Sequence, residues 1–261
     1  MDPPGSSISR VSHALVRVTV VGAAFPGNRK RARPGVAKRL GSGPSGWWAR
    51  GRPSLRCGIM RNMSDDHTHV QEFFAARAAD WDRRFPDDGP AYAAAVADLG
   101  LRPGNLVLDA GCGTGRALPP LRAAVGPSGK VVGVDLTPAM LHEAVRAGRD
   151  RDGRLLLADV IALPLRSTVF DAVFAAGLIA HLPHPQEDLR ELARVVRPGG
   201  KLALFHPIGR TTLAARQGRQ ITPDDLRAEA NLRPLLAGSG WHMTSYVDEN
   251  DRFLALATRE G

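Results

Sequence analysis

The chain has 261 residues, 43% of them hydrophobic, which is enough to bury one main core. The formal charge of +9 is concentrated at the start, because residues 1–62 carry 12 of the 35 lysines and arginines but only one acid, Asp2. The remainder is nearly neutral, which argues against nucleic-acid binding, since phosphate contacts need clustered positive charge. The only cysteines, Cys57 and Cys112, argue against a disulfide framework and fit a reducing compartment.

Residues 1–62 are rich in Gly, Pro, Ser and Arg and lack a sustained periodicity, so they predict a disordered basic leader. Two other interpretations stay open: the segment resembles a transit peptide in composition, and it could bind polyanions as a basic arm. The apolar run at residues 18–25 is too short to span a bilayer. We therefore expect a soluble, cytoplasmic protein with no membrane span.

Residues 63–261 predict one α/β domain whose first part, about residues 66–100, is a helical cap with helices at 70–82 and 90–100. Apolar runs that alternate with helical segments then predict a parallel sheet covered on both faces. The expected strands are residues 105–110, 130–136, 154–160, 170–177 and 201–207. Helices are expected at 137–148, with Thr137 as N-cap, and at 185–196.

The pattern changes after the fifth strand. We expect a loop at residues 208–220, a helix at 222–238, and two strands within 241–259 that pair as an antiparallel hairpin. The predicted fold is therefore a Rossmann-like doubly wound α/β fold. Its seven-stranded sheet is mostly parallel, with an antiparallel C-terminal hairpin.

The stretch "VLDAGCGTGRA", residues 107–117, joins the first strand to a helix through a glycine-rich turn. It fails the dinucleotide fingerprint G-x-G-x-x-G because Arg116 replaces the last glycine, and it lacks the Gly-Lys-Ser/Thr of a P-loop. Asp109 would repel a pyrophosphate. The same carboxylate would attract the ammonium and sulfonium of S-adenosylmethionine, whose own carboxylate suits a helix N-terminus.

Two further acids end neighbouring strands. Asp135 ends the second strand, where an acid can accept hydrogen bonds from ribose hydroxyls, and Asp159 ends the third, where it could meet an adenine amine. Because parallel strands end at one edge of a sheet, we expect Asp109, Asp135 and Asp159 to face the same ligand.

Five motifs in order extend this pattern: "VLDAGCGTG", "VVGVDLTPAML", "LLADVIALPL", "FDAVFAAGLIAHLP" and "ELARVVRPGGKLALFHP". With them, the chain resembles the class I S-adenosylmethionine-dependent methyltransferases over about residues 73–261, particularly the small-molecule branch that includes ubiquinone/menaquinone-biosynthesis-like enzymes. The resemblance implies S-adenosyl-L-methionine as cofactor, S-adenosyl-L-homocysteine as product, and methyl transfer to an O, N or C nucleophile of a small-molecule acceptor.

The resemblance also implies roles for individual residues. The methionyl end of the cofactor would lie among Asp109, Gly111 and Gly113, with Cys112 filling the turn as a small side chain. The ribose would meet Asp135, and the adenine would meet Leu136, Asp159 and Val160. The sulfonium side would be lined by Ala176 and Gly177.

The candidate general bases are His181 and His206, because both fall on the ligand-bearing edge of the sheet. His181 also has metal-like spacing with His184, but no third ligand is evident, so no metal is expected. Five further residues have two possible interpretations each, one functional and one without a role in the site. Arg210, Arg216 and Arg219 could bind an anionic acceptor or be solvated, and Trp81 and Tyr92 could close over the acceptor or pack in the core.

Three functions remain open at this point: a small-molecule methyltransferase, a nicotinamide-dependent oxidoreductase, and a non-catalytic methyltransferase-fold interaction module. Methylation of nucleic-acid bases is disfavoured, because "FAAG" at residues 174–177 stands where those enzymes carry Asn/Asp-Pro-Pro-aromatic. We therefore expect no nucleic-acid partner. The sequence does not indicate the oligomeric state.

Overall fold

The structure, a computed structural model, describes residues 19–21 and 63–261. Its strands are β1 (Thr19–Val21), β2 (Leu106–Ala110), β3 (Lys130–Asp135), β4 (Arg154–Leu157), β5 (Phe170–Ala176), β6 (Val196–His206), β7 (Trp241–Glu249) and β8 (Arg252–Arg259). Its α-helices are α1 (Met63–Ala75), α2 (Trp81–Arg84), α3 (Gly89–Leu99), α4 (Leu118–Val125), α5 (Pro138–Arg146), α6 (Pro185–Val195), α7 (Arg210–Arg216) and α8 (Glu229–Ala237).

The strands form one sheet in the order β1-β4-β3-β2-β5-β6-β8-β7. Strands β2 to β6 run parallel, and β8 and β7 continue the sheet as an antiparallel hairpin. The predicted fold is thus confirmed. Because β2 lies between β3 and β5, the strand order reverses at β2, where doubly wound sheets bind their ligands.

Strand β1 is an eighth strand that the sequence pattern did not predict. It pairs antiparallel with β4 at the edge of the sheet. Its Thr-Val-Val sequence is β-branched throughout, which favours a strand. The rest of the predicted basic leader, Cys57 included, lies outside the described residues, and its predicted disorder stays a prediction.

Hydrophobic clusters cover both faces of the sheet, as the continuous apolar strands predict. Successive side chains of a strand point to opposite faces. Val107 of β2 accordingly packs with Leu118 and Leu121 of α4. Its neighbour Leu108 packs on the other face, with Leu189 of α6. Burial on both faces holds the strands in place and therefore positions the turns that follow them.

The helical cap differs in detail from the prediction. The helix expected at 70–82 is interrupted: α1 ends at Ala75, a 3₁₀ turn covers Ala78–Asp80, and α2 follows. Helix α3 ends as expected at Gly100, whose φ of 62° places it in the left-handed conformation common at helix ends. Along the described part of the chain, no helix is long and apolar enough to cross a membrane.

Two predictions after β6 are wrong. The expected loop at 208–220 contains helix α7, whose first residue, Arg210, is tied to β7 through Asp248. The helix expected at 222–238 begins only at Glu229. Before it, the Oδ1 atom of Asp225 accepts a hydrogen bond from the Arg227 backbone N–H at 2.9 Å. This local turn competes with helix formation.

Candidate functional site

The carboxyl ends of the parallel strands open into a cavity of about 680 Å³ beneath the helical cap. This volume lies within the usual range of ligand sites, ~300–1,000 Å³. The residues predicted to bind cofactor or to act in catalysis all line this cavity. They are Asp109, Gly111, Cys112, Gly113, Asp135, Leu136, Asp159, Val160, Ala176, Gly177, His181 and His206.

The glycine turn is held in place by the neighbouring strand β3. Gly111 and Gly113 have φ values of 69° and 54°, a region that side chains disfavour. The Gly113 N–H donates a hydrogen bond to the Asp135 carboxylate at 2.8 Å. Cys112 packs against Gly133 so closely that a Cβ atom on Gly133 would lie 2.9 Å from its Sγ atom. Burial also raises the pKa of the Cys112 thiol, so this cysteine fills the turn as an unreactive side chain.

Asp109 is the least satisfied group in the site. Its residue is only 1% exposed, and its Oδ2 atom has no hydrogen-bond partner within the described part of the chain. Burial, followed by the nearby charge of Asp135, raises the pKa of Asp109 to about 8. A buried carboxyl oxygen without a hydrogen-bond donor is unfavourable. A cationic ligand would satisfy it.

Asp135 is better satisfied because backbone groups surround it. It accepts hydrogen bonds from the N–H groups of Thr137 and Gly113, both at 2.8 Å. Burial raises the pKa of Asp135, while these two hydrogen bonds oppose the shift. Thr137 lies at the N-cap position of α5 as predicted, but its side chain makes no capping hydrogen bond. Its backbone instead fixes the orientation of Asp135.

Two further cavity residues, Leu136 and Asp159, form backbone-linked contacts near the ends of β3 and β4. The backbone carbonyl of Leu136 accepts a hydrogen bond from Nε2 of Gln71 in α1 at 2.9 Å. Asp159 follows β4, and its Oδ1 atom accepts a hydrogen bond from the Ile161 N–H at 3.1 Å. The Gln71 contact therefore ties helix α1 to the end of β3.

An aromatic cluster joins the cap to the turn after β5. The Phe74 ring lies 5.1 Å from the His181 ring and 5.6 Å from Trp81, which in turn lies 5.2 Å from Phe85, measured between ring centroids. Phe73 and Phe85, which also line the cavity, stay 46% and 38% exposed. Trp81 thus belongs to an apolar wall of the cavity.

Tyr92 of α3 combines the two roles that the sequence left open. It lines the cavity, and its ring packs 5.1 Å from Phe205 of β6 and 6.3 Å from Phe174 of β5. Because β5 and β6 end beside it, Tyr92 links the cap to the core at the sulfonium-side end of the predicted site.

A network of ion pairs and hydrogen bonds connects the cap to the glycine turn. Arg116, the residue that breaks the dinucleotide fingerprint, donates hydrogen bonds to Asp82 at 3.0 Å and Asp88 at 2.9 Å. Asp82 also accepts a hydrogen bond from the Thr114 hydroxyl at 2.7 Å and pairs with Arg149 at 2.6 Å. Burial raises the pKa of Asp82, but Thr114 and Arg149 outweigh it and lower the pKa overall. This network could not be predicted from local sequence patterns, because its members lie far apart in the chain.

The two candidate bases lie at the other end of the cavity. The Nδ1 atom of His206 is 2.9 Å from the Ile208 carbonyl oxygen. Burial lowers the pKa of His206 to about 4; the Ile208 contact opposes this shift and the charge of Arg227 adds to it. The pKa of His181 is also lowered, first by desolvation and then by Arg227. Both imidazoles are therefore neutral near pH 7.

The arginines after β6 divide into two groups. Arg210 pairs with Asp248 at 2.8 Å and Asp225 at 3.5 Å and is absent from the cavity wall, so its alternative role in acceptor binding is not supported. Arg216 and Arg219 do line the cavity. So does Arg227, which the sequence analysis missed because nothing in a single arginine of a predicted helix points to a cavity.

A family model described as "Methyltransferase domain" matches residues 108–204, from β2 to the end of β6. Together with the doubly wound sheet and the cavity at its switch point, this match confirms the predicted resemblance to the class I S-adenosylmethionine-dependent methyltransferases.

Among curated relatives, the demethylmenaquinone methyltransferase of Bacillus cereus (strain AH187) is 34% identical over 123 residues, which cover 46% of this chain and 52% of the relative. A methyltransferase structure from Aquifex aeolicus has a TM-score of 0.55 and 25% identity, covering 64% of this chain and 89% of that one. Magnesium protoporphyrin IX methyltransferase from Synechocystis PCC 6803, solved with S-adenosylmethionine bound, shares the fold at a TM-score of 0.55 and 21% identity, covering 77% and 100%. The match spans about half the length of the curated relative.

Proposed function

We propose that this protein transfers the methyl group of S-adenosyl-L-methionine to an O, N or C nucleophile of a small-molecule acceptor and releases S-adenosyl-L-homocysteine. The observation that carries the proposal is the unsatisfied, buried carboxyl of Asp109 beside the glycine turn of a methyltransferase-family domain. A cation at this position would complete a site that the folded chain leaves incomplete.

The residues around the cavity fit the parts of this cofactor. The Asp109 carboxylate would form an ion pair with the ammonium group of the cofactor. Gly113 leaves space for the cofactor, since a Cβ atom built on this glycine meets no atom within 4 Å. Asp135, already oriented by two backbone N–H groups, would accept hydrogen bonds from the ribose. The remaining cofactor contacts would come from Gly111, Cys112, Leu136, Asp159, Val160, Ala176 and Gly177.

When bound, S-adenosylmethionine supplies an electrophilic methyl group on a sulfonium. The protein's share of such a displacement is largely alignment, because holding the acceptor on the line through carbon and sulfur removes much of the entropic barrier. The cap contributes by excluding water, since its aromatic cluster closes one wall of the cavity. For an acceptor that must lose a proton, His181 and His206 are the proposed general bases. Both are neutral near pH 7, and the pKa of about 4 makes His206 the weaker base.

The cytoplasm is the proposed location, because sparse cysteine usage suits a reducing compartment. The acceptor is proposed to be a metabolite because the chain from Met63 onward is nearly neutral overall, whereas nucleic-acid binding needs an extended basic surface.

Calorimetric titration of the full-length protein tests the cofactor assignment. S-adenosylmethionine and S-adenosylhomocysteine are expected to bind, while NAD is not. Asp135→Ala should weaken both complexes, whereas Arg166→Gln, a charge change on an exposed residue outside the cavity, should leave them unchanged. Binding of NAD in place of the two adenosyl compounds would refute the proposal.

A further inference from the structure

The charged groups of the cavity are separated by the order of the strands. Asp109 lies in β2 at the switch point, Asp135 ends β3 and Asp159 follows β4, so these acids occupy one side of the cavity. The opposite side, beyond β5 and β6, carries imidazole and guanidinium groups. These are His181, His206, Arg216, Arg219 and Arg227. The cavity therefore has an acidic half and a basic half.

The carboxylates of the acidic half can pair with a cationic cofactor. In the basic half, two arginines have no carboxylate partner among the described residues. Arg227 pairs with Asp225 at 3.3 Å, so its charge is largely compensated. Arg216 and Arg219 form no ion pair with a carboxylate anywhere in the described residues, and Arg219 donates to the amide oxygen of Gln217 at 3.0 Å. Both side chains are exposed at the cavity wall and can reorient toward a ligand.

Arginines act on the two imidazoles of this half. The charges of Arg227 and Arg216 lower the pKa of His206. His181 experiences the same influence from Arg227. An anion placed beside these imidazoles would be attracted by the same arginines.

The wall beside the basic half is apolar and aromatic. Phe74 and Trp81 form its inner part, and Phe73 and Phe85 continue it with substantial exposed surface. Arg77 does not compete for the anion site, because its guanidinium lies 3.7 Å above the Phe73 ring and donates to that residue's carbonyl. A flat apolar molecule would bury this surface.

We propose that the acceptor is an aromatic carboxylate, with its ring against the cap aromatics and its carboxylate bound by Arg216 and Arg219. The guanidinium group offers paired donors that match a carboxylate in geometry as well as in charge. This proposal rests on the proposed function, because it assigns the acidic half of the cavity to the cofactor.

Binding of a charged probe and its uncharged counterpart tests the proposal. The full-length protein is saturated with S-adenosylhomocysteine, and 2-naphthoate and 2-naphthamide are titrated at equal ionic strength. We expect naphthoate to bind at least about tenfold more tightly than the amide, as for a charge-assisted hydrogen bond. The double substitution Arg216→Gln and Arg219→Gln should abolish this preference, and Arg166→Gln should retain it.

Equal binding of the two probes, binding of neither, or a preference that survives the double substitution would overturn the proposal. The S-adenosylhomocysteine titration separates this failure from failure of the proposed function. If S-adenosylhomocysteine binds and the acid preference is absent, only the acceptor class is wrong. If S-adenosylhomocysteine itself does not bind, the proposed function is wrong as well.

Discussion

At the scale of single residues, ionisation of the Asp109 carboxyl has opposite effects on folding stability and on ligand affinity. Its pKa of about 8 means that the folded protein keeps this carboxyl largely protonated at neutral pH. In the unfolded chain it ionises near its ordinary pKa of ~3.9. The native state therefore binds more protons than the unfolded state between these values, so this group's contribution to stability falls as pH rises through that window.

The same linkage predicts proton release on cofactor binding. A cation beside Asp109 favours the ionised carboxylate, so its pKa should fall when the site fills. Near pH 7 we expect about one proton to be released per S-adenosylhomocysteine bound. Affinity should rise with pH up to about 8 and then level off. Calorimetry in two buffers of different ionisation enthalpy measures the released protons, and a binding enthalpy independent of the buffer would contradict this role of Asp109.

At the scale of elements, the link between α2 and the glycine turn determines how the cap sits on the sheet. Asp82 accepts hydrogen bonds from the Thr114 hydroxyl and from Arg116, and it forms an ion pair with Arg149. One carboxylate therefore connects the cap to the residues that follow β2 and α5. The lowered pKa of Asp82 means that its stabilising contribution is present above the ordinary carboxyl pKa and is lost as pH falls through the lowered value.

Removing this carboxylate should loosen the cap more than it destabilises the domain. Because Asp82 is partly exposed, Asp82→Asn should lower the free energy of unfolding by only about 1 kcal/mol. Dissociation of S-adenosylhomocysteine should be several-fold faster, as stopped-flow fluorescence of Trp81 would measure. Asp98→Asn, which breaks the exposed ion pair with Arg252, is the matched control. Equal dissociation rates in the two variants would show that the network does not hold the cap.

The elements also show what the sequence can and cannot predict. Strands β2 to β5 and the second half of β6 were predictable because each is a short apolar run buried on both faces, a pattern that is local in the sequence. Helix α7 was missed because contacts with Asp248 on a distant strand hold its first turn. The start of α8 was misplaced because Asp225 makes a turn that sequence periodicity does not show.

At the scale of the whole molecule, the sheet order decides which charges share a cavity. The strand-end acids could be assigned from sequence, since parallel strands bring their carboxyl ends to one edge. The basic half could not, because Arg216, Arg219 and Arg227 come from segments whose paths depend on tertiary contacts. The Arg116 to Asp82 contact likewise joins residues 34 positions apart.

Cofactor binding should stabilise the domain as a unit. At S-adenosylhomocysteine concentrations of ~100 times Kd, mass action adds about 2.7 kcal/mol to the free energy of unfolding. For a domain of this size, that corresponds to an increase in Tm of about 5 to 10 °C, measurable by differential scanning calorimetry. NAD at the same concentration should leave Tm unchanged. The account would be contradicted if S-adenosylhomocysteine left Tm unchanged at a concentration that saturates calorimetric binding.

The most direct test of the central claim is Asp109→Asn, studied for stability and binding in the same preparation. The substitution removes a buried carboxyl that is costly to ionise, so the free energy of unfolding at pH 8 should equal or exceed that of the unsubstituted protein. Affinity for S-adenosylhomocysteine should fall by at least about tenfold, because the ammonium group loses its charged partner. Unchanged affinity would contradict the assignment of Asp109 to the cationic end of the cofactor, and a lower free energy of unfolding would contradict the stated cost of burying its carboxyl.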